Sequence, residues 1–349
     1  MKQNRLYKIA VAFLATGISF YSTLVVAQTE GGETENALEL SYPVIEIPNI
    51  TQGGEPYFSP DSKSLIYSGL ESDESVHHTY TIKIDGTDRK RINNKGSDAC
   101  TFYHPNGKNL IWTSTRDNLH LPEGNWNYIA QYPVGAELYL SDLNGDHIKR
   151  LTFNEYYDAE VGYSPDGSKI LFARSIDAEM DLWLMDPDGK NERRILHTPD
   201  LQEGGSQFMP DSKTILFRAW KKSDEDKPVK DMHLYTINDD GTNLQQITTQ
   251  EGSHWAPFPA PDGIHAVYAK KVPIGEDYAN YELYLINLQT KEEIRLTDYR
   301  GFDGFPSISP DGKYVAFTSN RPKKGSTEEK GKNRLFLLDI SSLNVGPVK

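Results

Sequence analysis

Apolar and polar residues alternate in short runs along most of the chain, and one motif divides these runs into six similar units. Each copy has an apolar or aromatic residue, a proline and a polar turn, and four of the six have a small residue directly before the proline. The copies are YFSPDS from Tyr57, FYHPNG from Phe102, GYSPDG from Gly162, QFMPDS from Gln207, FPAPDG from Phe258 and SISPDG from Ser307. Their prolines lie 45, 60, 45, 51 and 49 residues apart. A repeat of this length is typical of four-stranded propeller blades.

The pattern inside each unit predicts four short strands. The residue seven positions after the proline is always aromatic: Tyr67, Trp112, Phe172, Phe217, Tyr268 and Phe317. We expect these six rings to pack between blades as core. A second signature follows, as in ELYLSDLNG from Glu137, where alternating apolar residues end in a turn dipeptide typical of a hairpin. No helical periodicity is found. The sequence therefore predicts an all-β, six-bladed β-propeller of four-stranded antiparallel blades.

The two ends of the repeat region predict how the ring closes. The sixth unit ends after its third strand, near Ile340, whereas the segment PVIEIP (Pro43 to Pro48) stands before the first unit. We expect this N-terminal segment to become the outermost strand of the last blade, which removes an open sheet edge. Pro43 and Pro48 fit an outermost strand, where a missing N–H does little harm.

The chain begins with a pattern typical of export. A basic start is followed by uncharged residues 9–26 and by the small residue Ala27. This is the layout of a secretory signal peptide, and an uncleaved membrane anchor is the alternative. The predicted organisation is a signal peptide at 1–27, an acidic linker at 28–40 and the propeller at 41–349, in a periplasmic or secreted protein.

Charge and cysteine content narrow the function further. The 349 residues carry a formal net charge of −13, which argues against nucleic-acid binding because that requires clustered Lys and Arg. Cys100 is the only cysteine, so no intrachain disulfide can form. The acidity of the chain suits a soluble protein that meets cations or basic surfaces.

Loop lengths predict which face of the propeller binds a partner. The turns within the repeat motifs are short and uniform, whereas the second-to-third-strand loops and the links between blades vary and share the opposite face. Variable loops on a rigid scaffold are where binding usually resides. The longest, Asn118 to Ala136, contains Trp126, Tyr128 and Tyr132. These aromatic residues form a partner-binding surface or, alternatively, fold back over the base of their own loop.

Acidic residues recur just before the repeat motifs. The residues seven positions before the prolines are Gly53, Asp98, Asp158, Glu203, His254 and Asp303, and two positions later Glu55 and Glu160 add carboxylates. Because the innermost strands begin there, we expect a ring at the mouth of the central channel that attracts a cationic side chain or a divalent cation such as Ca²⁺. The alternative is that Asp and Gly recur only because turns favour them.

The repeat motifs closely resemble the Ser-Pro-Asp-Gly propeller repeat of the TolB family, over about residues 41–340. The resemblance implies a periplasmic propeller that binds an envelope protein or peptide on one face. Similar repeats also form the propellers of prolyl-oligopeptidase-like enzymes.

Two functional hypotheses follow from the sequence. The favoured one is a non-catalytic propeller that binds a protein or peptide at the loop-rich face and channel mouth, together with a cation. It is favoured because no nucleophile–base pair, complete metal site or phosphate-binding loop is found. The alternative is a metal-dependent lyase or hydrolase that uses Asp158, Glu203 and His254 as metal ligands.

Overall fold

A computed structural model describes residues 42–274, 280–323, 325, 327 and 331–348. The predicted signal peptide and acidic linker lie outside these residues. The described chain forms six four-stranded antiparallel sheets and three short 3₁₀ helices, Ile129–Gln131, Lys222–Asp224 and Ser341–Leu343. The prediction of an all-β, six-bladed propeller is confirmed. No helix in the described ranges is long and apolar enough to cross a membrane.

Five of the blades are built from four consecutive strands, numbered from the innermost strand outward. Blade 1 contains β2 (Gly53–Phe58), β3 (Ser64–Gly69), β4 (His78–Lys83) and β5 (Lys90–Arg91). Blade 2 contains β6 (Asp98–Tyr103), β7 (Asn109–Ser114), β8 (Glu137–Asp142) and β9 (Lys149–Arg150). Blade 3 contains β10 (Tyr157–Tyr163), β11 (Ile170–Ile176), β12 (Glu179–Met185) and β13 (Arg193–Leu196).

The next two blades follow the same order. Blade 4 contains β14 (Leu201–Phe208), β15 (Thr214–Lys221), β16 (Met232–Asn238) and β17 (Gln245–Gln246). Blade 5 contains β18 (His254–Pro259), β19 (His265–Lys271), β20 (Tyr281–Asn287) and β21 (Glu293–Arg295). Because sequential strands pair as neighbours, the repeat-motif turns all lie at one end of the sheets and the long loops at the other.

Blade 6 takes strands from both ends of the described chain. Its order is β22 (Asp303–Ile308), β23 (Tyr314–Ser319), β24 (Arg334–Asp339) and then β1 (Val44–Glu46). Strand β1 pairs antiparallel with β24, and Ile47 extends the pairing by donating its N–H to the Leu335 carbonyl at 3.0 Å. Strand β1 precedes blade 1 in the chain, so blades 1 and 6 are linked through this segment.

The repeated aromatic residues form the core between blades, as predicted. All six rings on the second strands are fully buried. Each lies directly opposite an aromatic residue on the third strand: Tyr67–Tyr80, Trp112–Tyr139, Phe172–Trp183, Phe217–Tyr235, Tyr268–Tyr284 and Phe317–Phe336. Cross-strand aromatic pairs stabilise a sheet by direct packing. One such pair per blade explains why every unit keeps an aromatic at this register.

Candidate functional site

The innermost strand of every blade contains a β-bulge at the same place. The register against the second strand shifts by one residue around the position five residues before the repeat proline. The residues at that position all have a left-handed backbone: Glu55 (φ 54°), Cys100 (47°), Glu160 (51°), Gly205 (57°), Ala256 (49°) and Phe305 (50°). Five of these six are not glycine, and such residues rarely adopt positive φ. Bulges redirect side chains and are common next to functional sites.

These six residues, the bulge ring, together line a cavity of about 60 Å³ in the channel. The rings of Tyr57, Phe102 and Phe258 narrow the channel next to it, with Tyr57 5.2 Å from Phe102 and 5.9 Å from Phe258 between ring centroids. The ring is chemically uneven, because blades 1 and 3 contribute carboxylates whereas blades 4 to 6 contribute Gly, Ala and Phe. A ligand that enters the channel therefore meets the charged part of the bulge ring at blades 1 to 3.

The two carboxylates of the bulge ring, Glu55 and Glu160, connect neighbouring blades. Glu55 accepts a hydrogen bond from the backbone N–H of Cys100 at 2.8 Å, and Glu160 accepts one from that of Gly205 at 2.6 Å. Burial, followed by repulsion from Glu160, raises the pKa of Glu55, although the Cys100 N–H opposes the shift. Both glutamates were predicted at the channel mouth, and both line the cavity at the bulge ring.

The bulge ring also holds a thiol, which the sequence analysis did not single out. Burial and then the charges of Glu55 and Glu160 raise the pKa of Cys100 well above its usual value. The thiolate is the nucleophilic form of cysteine, so this side chain is held in its unreactive state.

Arg218 on β15 supplies a cation beside the bulge ring. Its Nη2 donates to Glu160 Oε1 at 2.8 Å, and its guanidinium stacks on Trp220 at 4.6 Å from the ring centroid. A side chain at Gly204, directly across the sheet, would overlap both Glu160 and Arg218. The sequence signal for this pair is a double glycine opposite an arginine, which only the strand register could reveal.

The residues seven positions before the prolines lie elsewhere. Asp98, Asp158, Glu203, His254 and Asp303 are all buried, with exposed fractions of 0 or 1%. They are not part of the channel lining around the bulge ring. Asp98, Glu203 and His254 lie against residues of the preceding blade, whereas Asp158 and Asp303 pair with arginines of their own blades. A role for them in ligand binding stays a prediction.

These buried groups differ in their hydrogen-bond and ion-pair partners. Asp98 accepts hydrogen bonds from the Thr79 N–H of the preceding blade at 2.8 Å and from Asn93 at 2.7 Å. Burial nevertheless raises the pKa of Asp98 to about 6. Asp303 pairs with Arg321. His254 Nδ1 lies 2.9 Å from the Met232 carbonyl of blade 4. The Asp98 and His254 contacts join neighbouring blades, whereas the Asp303–Arg321 pair lies within blade 6.

The proposed metal ligands are not brought together. Asp158, Glu203 and His254 belong to the innermost strands of three different blades. Nowhere in the described chain do three or more His, Cys, Asp or Glu side chains cluster so that they could hold a metal ion. The residues present therefore do not fit a Ca²⁺ or Mn²⁺ centre built from this set.

A larger cleft of about 280 Å³ opens from the channel towards the loop-rich face. Glu160, Arg218 and Trp255 line both this cleft and the cavity at the bulge ring. The cleft, called here the basic cleft, contains Arg218, Lys227, Lys230 and Lys271 against two carboxylates, Glu160 and Glu225. The sequence pattern predicted an acidic channel mouth but not these lysines, which come from a loop of blade 4 and the end of β19.

The aromatic residues of the long blade 2 loop divide between the two predicted roles. Trp126 and Tyr132 fold back onto Tyr157 at the start of β10, with ring centroids 5.9 and 4.2 Å away. Tyr128 points outward and is 59% exposed. Asn127, Ile129 and Tyr132 also line the basic cleft, so this loop forms part of the cleft wall.

The opposite mouth of the channel has a different character. The six repeat prolines, with Phe58, Phe208, Ile308 and other apolar residues, surround a depression of about 380 Å³. Its regular lining follows directly from the repeat motif. The chemical variety of the molecule is therefore concentrated at the loop-rich end.

Among the buried carboxylates of the described residues, Glu203 has the fewest hydrogen bonds to its oxygens. Asp181 and Thr198 lie close to it, but neither of its oxygens accepts a hydrogen bond of normal geometry among the described residues. Burial raises the pKa of Glu203 from 4.5 to about 7. The folded state therefore binds a proton that the unfolded state releases between these two values, and stability falls as the pH rises through this window.

Replacing Glu203 by Gln should remove the loss of stability that comes from burying an ionised carboxylate. We expect Glu203→Gln to be more stable than the wild type by about 2–3 kcal/mol at pH 8, and the gain to vanish below about pH 4.5. Denaturant unfolding at both pH values measures the difference, with Glu251→Gln as a control because Glu251 is exposed. Equal effects of Glu203→Gln at both pH values would contradict this assignment.

Comparison with known proteins gives distant sequence relatives. No family model matches the chain. Dipeptidyl-peptidase 5 from Porphyromonas gingivalis is 22% identical over 316 residues, which covers 84% of this chain and 40% of that protein. The Tol-Pal system protein TolB from Helicobacter pylori is 26% identical over 187 residues, or 53% of this chain and 41% of that protein. The chain thus spans about half or less of the length of these relatives.

Solved structures give the same fold. TolB from Acinetobacter baumannii matches with a TM-score of 0.59 and 18% identity, over 80% of this chain and 64% of that one. A structure from Agrobacterium tumefaciens assigned to TolB has a TM-score of 0.57 and 18% identity, over 85% and 96%. Oligogalacturonate lyase in complex with manganese has a TM-score of 0.52 and 16% identity, over 86% and 96%. The chain is a six-bladed β-propeller similar to the TolB-like proteins, as its repeat motifs indicated.

Proposed function

We propose that this protein is an exported, non-catalytic propeller that binds a protein or peptide partner at its loop-rich face. The observation that carries the proposal is an exposed apolar patch on blades 2 and 3 at that face. Its residues are Leu119, Tyr128, Val134, Phe153 and Tyr156, whose exposed fractions are between 41 and 74%. Exposed apolar residues grouped at one face mark interaction sites more often than scattered ones.

The patch is held in place by hydrogen bonds between its two segments. The Gly135 N–H donates to the Tyr156 carbonyl at 2.8 Å, which joins the long loop to the link between blades 2 and 3. Asn118 donates its side-chain amide to the Gly135 carbonyl at 2.6 Å. A fixed apolar surface loses little conformational entropy when a partner binds. The basic cleft begins at Asn127 and Ile129 of the same loop, so one partner can contact both features.

The similarity to TolB supports a partner in the cell envelope, because the Helicobacter pylori relative is a Tol-Pal system protein. Export by the predicted signal peptide would deliver the protein to the periplasm or outside the cell. The alternative of a metal-dependent enzyme draws support from the fold of the manganese-bound lyase. However, the described residues offer such an enzyme no metal-binding cluster.

Polar substitutions in the patch test the proposal. The wild-type propeller is first cross-linked to its envelope partner, which is recovered with it. We expect the double variant Tyr128→Ser/Phe153→Ser to recover none of this partner, while the melting temperature of the variant stays that of the wild type. The matched control is Leu143→Ser/Ile148→Ser, because these residues are 37% exposed on the turn between β8 and β9, at the opposite face of the same blade. A partner recovered equally with both double variants would show that the patch does not bind it.

A further inference from the structure

The lining of the basic cleft has more cations than carboxylates, in a protein whose formal net charge is −13. One of these cations, Lys227, pairs with Asp224 outside the lining at 2.7 Å. The two carboxylates of the cleft are already engaged. Glu225 accepts from Trp220 Nε1 at 2.9 Å and lies 3.1 Å from Lys230 Nζ, and Glu160 is shared between Arg218 and the Gly205 N–H. The cleft thus has no acidic group left over to attract a cationic ligand.

Two cations of the cleft are less well satisfied. Lys271 donates to a neutral group, the Pro228 carbonyl, at 2.6 Å. Burial and the nearby charge of Lys230 lower the pKa of Lys271. The Arg218 side chain is only 5% exposed, and its Nε and Nη1 have no hydrogen-bond partner within the described part of the chain. Buried N–H donors without a hydrogen bond destabilise the folded protein, and an acceptor on a ligand would remove that penalty.

Aromatic rings hold these cations in position and leave apolar walls between them. Trp220 carries Arg218 on its face, with Lys230 5.5 Å from the ring centroid, and Lys271 lies 5.4 Å from the centroid of Tyr281. Trp255 forms the wall towards the channel. Cations fixed in this way need little reorganisation to bind an anion.

We propose that the basic cleft binds the carboxylate of a ligand that has a small uncharged body. The volume of about 280 Å³ fits one sugar ring or the last one or two residues of a peptide. A peptide C-terminus and a uronic acid share this chemistry. For a peptide C-terminus the inference rests on the proposed function, because it names the group of the partner that the loop-rich face recognises, whereas a uronic acid would be a separate ligand. In both cases the ligand is an anion, and the acidic sequence pattern predicted a cation.

Binding of small probes to the purified protein tests the inference without the partner. The probes are N-acetyl-Ala-Ala-Phe as free acid and as C-terminal amide, and galacturonate with uncharged galactose. Ligand-observed NMR should show binding of at least one acid, at least tenfold tighter than its uncharged counterpart and weaker as salt is added. The tighter acid identifies the source. If neither acid binds, or the uncharged probes bind as tightly, the inference is wrong.

Variants locate the binding site. Arg218→Gln and Lys271→Gln should each weaken binding of the acid at least tenfold, whereas Lys213→Gln should not, because Lys213 is an exposed lysine of the same blade on the opposite face. Should Arg218→Gln fail to fold, Lys227→Gln/Lys271→Gln changes only cleft-lining lysines. Unchanged affinity in that double variant would overturn the assignment. If the cleft variants lose probe binding but still recover the cross-linked partner, the cleft binds the acid and the apolar patch binds the partner. The two proposals can therefore fail independently.

Discussion

Deletion of residues 41–50 is expected to lower the melting temperature by about 10 °C or more. This segment contains β1, which forms the outer edge of blade 6, and Ile47 and Ile50, which are 1 and 6% exposed. Losing two buried isoleucines costs roughly 2–5 kcal/mol each, and each kcal/mol is worth about 2–4 °C in a domain of 150–250 residues. The deletion also breaks the pairing that links blade 6 to the start of blade 1. Differential scanning calorimetry measures the effect.

Two controls separate strand pairing from a general effect of shortening the chain. Val44→Thr/Ile45→Thr keeps the backbone and changes side chains that are 39 and 50% exposed, so the melting temperature should fall by only a few degrees. A synthetic peptide of residues 41–50, added to the truncated protein, should restore part of the lost stability by occupying the free edge of β24. An unchanged melting temperature in the truncated protein would show that β1 contributes little to the ring.

The fold could be predicted because its information is local. A blade needs one aromatic pair, two tight turns and alternating strands within about 50 residues, and six copies of that pattern average out the ambiguity of any single copy. The turn residues also have local causes: Ser164 donates to Asp166 at 2.6 Å within one repeat turn, and Ser309 repeats this contact with Asp311 at 2.7 Å.

The site could be predicted only in part, because a single bulge changes which side chains reach the channel. Strict alternation places residues five and seven positions before the proline on the same side of the strand. The left-handed residue at position five breaks that rule, so Glu160 lines the channel while Asp158 is buried against Arg174 of its own blade. Residue types such as Glu, Cys and Phe give no sequence signal for a positive φ. Arg218 was missed for a related reason, since its partner lies in another blade, 58 residues away.

The second large effect is expected at Asp158, and it tests whether this residue is structural. Arg174 Nε and Nη2 donate to the two Asp158 oxygens at 2.6 and 2.7 Å, while Nη1 donates to Glu192 at 2.7 Å. The guanidinium lies against Phe172 and Trp183, and its side chain is 6% exposed. A buried pair of this kind contributes little over an apolar pair, but removing one partner leaves the other charge uncompensated.

Asp158→Ala should therefore lower the free energy of unfolding by about 3–5 kcal/mol, measured by denaturant titration at pH 7. Arg194→Ala is the matched control, since Arg194 is 43% exposed and its ion pair with Asp181 should contribute less than about 1 kcal/mol. The double variant Asp158→Leu/Arg174→Met should recover much of the loss, because it replaces both charges by apolar groups of similar size. A metal ligand would behave differently: Mn²⁺ or Ca²⁺ would stabilise the wild type and not Asp158→Ala. That outcome would show that Asp158 is a metal ligand and not only the partner of Arg174.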